Sequence, residues 1–355
     1  MAGKMVAVSE LTPGSVLADA VITIKGKTLL GKGVQLTPRH ISLLRAWDIR
    51  NVFIETGEAP AEEPPEVAPE ASQEKPWKAT SQEYREFVQE LDSLITRTAQ
   101  AFHFIQKQSI VPLPELTDTT GKIYSSIRKN SLTSINCLLL GDCKLADFIS
   151  RHSVMVAFFA GNIARAMKWN EDDIQGAVLS GLLHDIGSLT AGKIDDRGHG
   201  RPHIAETAAL LKKVRGLSDK VILGVVQHCE CMDGSGFPTA ASGAKIHPYA
   251  RIISVANIFH IQAYSGEHAN PFPVLDLLAH EMFGKLDTAV CHTFINQVRD
   301  SLINNKILLS DGQEAEIIFF HPYGSCLPIV RTSDSRIIDL SKRGSSAITR
   351  IVPPS

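Results

Sequence analysis

The chain has 355 residues, 44% of them hydrophobic, and its acidic and basic side chains nearly cancel to a formal charge of −2. That combination suits a soluble globular protein of two or three domains with a sizeable core, and it gives no electrostatic footprint for a nucleic acid polymer. The longest apolar runs, at 135–140 and 154–160, are too short to cross a bilayer, and the opening Met1-Ala-Gly-Lys4 predicts no leader peptide. Six scattered cysteines in a chain of this size read as reduced thiols, so the expected location is cytoplasmic, with no membrane association.

Residues 1–56 alternate short apolar runs with glycine turns, for example Val21-Ile-Thr-Ile24 and Lys25-Gly-Lys27, which predicts small strands and a hairpin. Thr37 then caps a helix with Pro38 at its first position and Ile41, Leu43 and Leu44 on its apolar face; a strand at 51–55 completes a small α+β accessory module. Residues 57–80 turn sharply to Pro, Glu and Ala. So few apolar groups cannot offset the entropy of ordering, so this stretch reads as a flexible linker.

A long helix follows over 81–108, with Phe87, Leu91, Leu94, Ile95, Phe102 and Ile105 recurring at three and four residues. Such a stripe either packs into the core or forms the seam of a homodimer. Further helices are predicted at 116–129, 143–167, 171–184, 202–214, 217–229, 249–263, 274–282 and 288–303, so 81–304 is a helical bundle domain and the fold class is mainly α. In the last segment, 305–355, the period changes to that of short strands around an Asp311-Gly312 hairpin turn, which predicts a small β appendage. The sequence contains no internal repeat.

Metal-capable side chains fall on separate predicted helices or at their ends: His152, His184 with Asp185, His203, and His228 with Cys229. A buried carboxylate is costly unless something positive pairs with it, and imidazoles pointing inward from several bundle helices are a common way to build a metal site. Each group also has a plain structural reading. His184-Asp185 can be a helix-end dipole partner and turn former, His152 a satisfied core histidine, and the whole set separate hydrogen-bonded residues without a shared site.

Four strings occur in order along the bundle: Asp147-Phe-Ile-Ser-Arg-His152-Ser, Gly181-Leu-Leu-His-Asp-Ile-Gly187, His228-Cys-Glu-Cys-Met-Asp-Gly-Ser-Gly-Phe-Pro238 and Ala250-Arg-Ile-Ile-Ser-Val-Ala-Asn257. Together they resemble the HD-GYP branch of the HD metal-dependent phosphohydrolases, over about residues 140–300. The run Asp233, Gly234, Ser235, Gly236, Phe237 and Pro238 is the most specific piece, and its chemistry is also that of a turn. The flanking N-terminal module and β tail are similar to segments that accompany such domains. The resemblance implies an HD-type helical bundle that hydrolyses cyclic di-GMP or another phosphoester. It implies iron or manganese as cofactor, with zinc an alternative, and one or two ions in this altered site. Carried over by position, the ligands are His152, His184, Asp185, His203 and His228, with Cys229 and Asn257 in two further ligand places and Asp185 as the bridging, catalytic carboxylate.

The departures lie in the site itself. Cys229 stands where the family has a second histidine, Asn257 where it has an aspartate, Ser188 where it has a lysine and His260 where it has a second aspartate. His260, three residues after Asn257, is either a substitute ligand or an ordinary core or surface histidine. The segment before His203 is short and charged, so Lys193 and Arg197 either replace a lost phosphate contact or belong to a solvated loop. Ser265-Gly-Glu-His268 replaces the family's Arg-Pro-Tyr-like string. The sequence therefore supports two functions: a phosphodiesterase with an altered metal site, or a degenerate signalling module that binds nucleotide or a partner protein without turnover.

Overall fold

The computed structural model describes residues 3–12, 14–19, 21–22, 28–30, 35–36, 41, 44, 51–55, 80–140, 148–190, 202–266, 268–282, 284–321, 325–342 and 345–354. The chain divides into two compact units, Met1–Gln73 and Glu74–Ser355. In the first, β1 (Gly3–Ala7) pairs antiparallel with β4 (Asn51–Glu55), and β2 (Val21–Ile22) with β3 (Thr28–Leu30). Its core gathers Val8, Leu11, Leu17, Val21, Leu36, Ile41, Leu44 and Val52. Most of the helix expected after Thr37, and the expected linker up to residue 79, lie outside the described residues.

The second unit is built on α1 (Ser81–Gln108), α2 (Leu113–Lys129), α3 (Ser131–Leu140), α4 (Phe148–Ala166), α5 (Glu171–Leu183), α6 (Pro202–Leu211), α7 (Asp219–Val226), α8 (Pro248–Ala263), α9 (Phe272–Asp276) and α10 (Thr288–Leu302). Helix α1 starts where a reciprocal capping box between Thr80 and Glu83 satisfies its first orphan N–H groups. All six residues of its apolar stripe are buried in the unit's own core, so the stripe is used within the chain. Helix α3 has no counterpart among the expected helices. From Ser134 to Leu140 every residue is buried, and an element that is apolar all round shows no 3.6-residue period to read. The helix expected over 143–167 is described from Phe148 on.

Helix α4 is the centre of the bundle: each residue from Ser150 to Ala164 is buried. Helices α5 and α8 pack along it, with α2, α7 and α10 around them. The C-terminal strands β5 (Lys306–Leu309), β6 (Glu314–Phe320), β7 (Pro328–Thr332), β8 (Ile337–Asp339) and β9 (Ile348–Val352) form one antiparallel sheet in the order β8-β7-β6-β5-β9. Gly312 turns the β5–β6 hairpin at φ +82°. Ile307, Leu309, Ala315, Ile317, Val330 and Ile351 place the sheet's buried face in the same core as the helices. No described helix is long and apolar enough to cross a membrane.

Candidate metal centre

Helix α5 delivers the central pair. Its N-terminus is held by Asn170, whose side chain accepts from the Asp173 N–H, and its last turn is followed directly by His184 and Asp185. The chain then turns through a short 3-10 segment, Ile186–Leu189. Gly187 lies tight against α6: a Cβ there would be 2.0 Å from the His203 carbonyl oxygen and 2.5 Å from the Thr207 nitrogen, and its own N–H donates to Thr207 Oγ1 at 2.9 Å. Only a glycine lets α6 come this close, and that approach carries His203 to the site.

Four imidazoles surround the Asp185 carboxylate and divide it. Oδ2 faces Nε2 of His184 at 3.4 Å and of His152 at 3.7 Å, while Oδ1 faces Nε2 of His228 at 3.6 Å and of His203 at 3.7 Å. His152 comes from the buried face of α4 and His228 from the turn after α7. The side chains of His152, His184 and His228 are at most 3% exposed, whereas His203 and Asp185 open to solvent at 20% and 26%.

Two of the rings are held in one tautomer. His184 Nδ1 donates to the Gly181 carbonyl at 2.8 Å and His228 Nδ1 to the Val225 carbonyl at 2.7 Å, which leaves each Nε2 with a lone pair aimed at Asp185. His152 and His184 approach Nε2 to Nε2 at 3.0 Å. Two nitrogens sharing one ion at about 2.1 Å and at right angles also stand about 3.0 Å apart. The donor set therefore fits a cation. Burial, and then the neighbouring His184, push the His152 imidazole down to about 3, and the same causes push His228 down to about 4, so both are neutral at neutral pH. Burial opposes ionisation of Asp185, but the surrounding imidazoles outweigh it and hold the carboxyl at about 2.

Among the described residues, those able to hold a metal fall into two groups, His152 with His184 and Asp185, and His203 with His228 and Cys229; within each group the candidate ligand atoms lie within 4.8 Å of one another. Burial, followed by the charge of Asp185, pushes the Cys229 thiol up to about 12. Helix α8 closes the site. Ser254 Oγ donates to the His228 carbonyl at 2.5 Å, and two turns on His260 Nδ1 meets His152 Nδ1 at 2.9 Å. Asn257 lies between them on the same helix face. Its Oδ1 is buried without a hydrogen-bond partner among the described residues.

His260 stands behind His152, against the ring nitrogen that faces away from Asp185, so it backs a candidate ligand and is not one of the atoms around the carboxylate. A tautomer with the proton on His152 Nδ1 donates to His260 and frees Nε2 toward Asp185, the pattern by which outer partners orient metal-binding imidazoles. Phe148, at 65% exposure, stacks on His152 with ring centroids 5.6 Å apart and planes 8° from parallel. Sequence reasoning misses Phe148, because an aromatic at a helix start carries no signal by itself. Ser188 Oγ bonds the Asp185 carbonyl, so it helps shape the turn after the pair. Lys193 and Arg197 lie outside the described residues.

The Asp233–Pro238 stretch is a built turn. Asp233 Oδ1 accepts from the Ser235 N–H at 2.9 Å and from its hydroxyl at 2.6 Å, and Gly234 takes φ +81°. Gly236 is packed so that a Cβ would lie 2.3 Å from the Cys231 nitrogen. The Phe237–Pro238 bond is cis. The turn's anchor carries no signal in the sequence: Glu230, 3% exposed, accepts from the Thr239 N–H and hydroxyl, both at 2.7 Å, and from the Ala241 N–H at 3.1 Å.

Residues 142–270 match the HD domain family. The chain is 23% identical over 253 residues to a cyclic di-GMP phosphodiesterase, PA4108, of Pseudomonas aeruginosa, covering 65% of this chain and 60% of that one. It is 28% identical over 159 residues to the 3'3'-cGAMP-specific phosphodiesterase 1 of Vibrio cholerae, covering 41% of this chain and 37% of that protein. It thus spans less than two thirds of the length of either relative. Among solved structures it is similar in fold to Bd1817, an HDG"Y"P protein from Bdellovibrio bacteriovorus, with a TM-score of 0.50 and 16% identity over 82% of this chain and 98% of that one. Residues 142–270 of the Glu74–Ser355 unit thus match the HD domain family, and the chain is similar in fold to an HD-GYP protein.

Proposed function

We propose that this chain is a metal-dependent phosphodiesterase that hydrolyses a cyclic dinucleotide, cyclic di-GMP or 3'3'-cGAMP, at the Asp185 centre. The observation that carries the reading is the sharing of one carboxylate between two imidazole pairs, Oδ2 with His152 and His184, Oδ1 with His203 and His228. Those five residues would hold a pair of divalent transition-metal ions, iron, manganese or zinc, with Cys229 and the Asn257 amide oxygen as further donors. Such ions, when bound, supply positive charge for the phosphate oxygens and acidify water enough to attack phosphorus at neutral pH. The protein's own part is to orient. Main-chain carbonyls at Gly181 and Val225 fix two rings, His260 fixes a third, and the buried setting keeps His152 and His228 neutral as donors. The exposed ring of Phe148, stacked on His152, offers a purine base a face to stack on beside the centre.

The similarity to cyclic dinucleotide phosphodiesterases supports the substrate class. The test is hydrolysis of both dinucleotides by protein prepared anaerobically and supplied with Mn²⁺ or Fe²⁺, alongside elemental analysis of the isolated protein. Linear or mononucleotide products with co-purified metal support the reading, and a protein that holds no metal and cleaves neither compound rules it out. A second reading, binding without turnover, draws on Asn257, which removes a negative charge beside the ions. It predicts metal content and dinucleotide binding without products, and turnover on Asn257→Asp.

A further inference from the structure

The two halves of the centre differ in chemistry. Around Asp185 Oδ2 the donors are His152 and His184, nitrogen and oxygen alone. Around Oδ1, His203 and His228 are joined by Cys229, whose Sγ lies within 4.8 Å of both candidate ring nitrogens. Counting the shared carboxylate, the second half offers two imidazoles, a sulfur and an oxygen. That is the number of donors that closes a tetrahedral site, whereas three protein donors leave a site open to water or substrate. Sulfur also changes the selection, because soft thiolate favours zinc, cobalt or ferrous iron over manganese and magnesium.

We propose that the centre is divided: Cys229 ligates as a thiolate and makes the His203, His228 and Cys229 half a closed site that retains a zinc-like ion, while the His152 and His184 half takes a harder, exchangeable ion. The proposal rests on the reading of Asp185 and its imidazoles as a metal centre. On ligation the Cys229 thiol gives its proton to solvent as the metal–sulfur bond forms, with no change of oxidation state.

Cobalt reads the sulfur directly. The full chain is stripped with chelator and titrated with Co²⁺ under anaerobic conditions, following the near-ultraviolet sulfur-to-cobalt charge-transfer band and the visible d–d bands. The first equivalent is expected to bring the charge-transfer band, and the second to add d–d intensity alone. Dialysis against Mn²⁺ then removes the second ion and leaves the band. Cys229→Ser is expected to lose the band and keep one bound cobalt; Cys229→His restores the second ion without the band; Cys231→Ser keeps it. Cobalt bound by wild type without a charge-transfer band, or a band unchanged in Cys229→Ser, overturns the proposal while leaving the metal centre standing. Failure of the wild-type chain to bind cobalt at all overturns both.

Discussion

Two buried or half-buried carboxylates lie a short way apart in this bundle and are treated in opposite ways. Glu230 is fully provided for by the protein: three donors from Thr239 and Ala241 reach it at 2.7–3.1 Å, and it pins the Asp233–Pro238 turn. Among the described residues, Asp185 is given no such donors. Four imidazole nitrogens stand off at 3.4–3.7 Å, longer than an ordinary N–H···O bond, and the Nδ1 protons of His184 and His228 are engaged elsewhere. The same side-chain chemistry therefore serves structure at one site and calls for positive charge at the other. A carboxylate faced by the Nε2 lone pairs of His184 and His228 fits a cation between them.

Variants at the two acids are the most direct way to break this contrast. Asp185→Asn is expected to carry the largest functional effect, abolishing dinuclear metal binding and lowering hydrolysis by more than the roughly 10–100-fold typical of outer-shell changes. Elemental analysis and product formation from cyclic di-GMP measure it. Stability of the metal-free chain should change less in that variant than in Glu230→Gln, where charge-assisted bonds are lost and unfolding in urea should be easier by about 2 kcal/mol. If Asp185→Asn instead unfolds the protein and Glu230→Gln does not, the contrast fails.

A smaller effect sharpens the role of α8. His260→Ala removes the partner of His152 Nδ1 and is expected to weaken metal binding by about 10-fold, the low end for an orienting partner, with His260→Asp recovering most of it. Competition with a metal-binding dye reads the affinity. The smallest effect is on pH dependence without metal. His152 and His228 hold their protons only below about 3 and 4, against an ordinary value of 6.5, so between those values the unfolded chain binds protons that the folded chain refuses. Stability should be flat above about pH 6.5 and fall as pH drops toward 4, and His228→Gln should reduce the slope, which thermal unfolding across pH will show. Glu230→Gln should leave that slope in place.

Much of the bundle was legible because amphipathic helices announce themselves. The stripe of α1, the caps around α5 and the Asp311-Gly312 turn of the sheet follow from local chemistry. Helix α3 was not legible, since its apolar residues leave no exposed face to set a period. At the site, the residue types His152, His184, Asp185, His203 and His228 could be singled out, but not how Asp185 would be shared among them. His260 illustrates the limit. Spacing put it on the face of Asn257, and only packing against α4 turned it toward the back of His152.

The sequence by itself determined which residues could bind a cation, where most of the helices run, and that the signature run must turn, because these depend on side-chain chemistry and on neighbours a few positions away. The tertiary structure alone decided that four imidazoles from α4, α5, α6 and the turn after α7 converge on one carboxylate, that Cys229 joins only one half of them, and that Glu230 is satisfied where Asp185 is not. Those facts depend on residues tens of positions apart being brought within ångströms, and close approaches such as that of α6 over Gly187 set the distances.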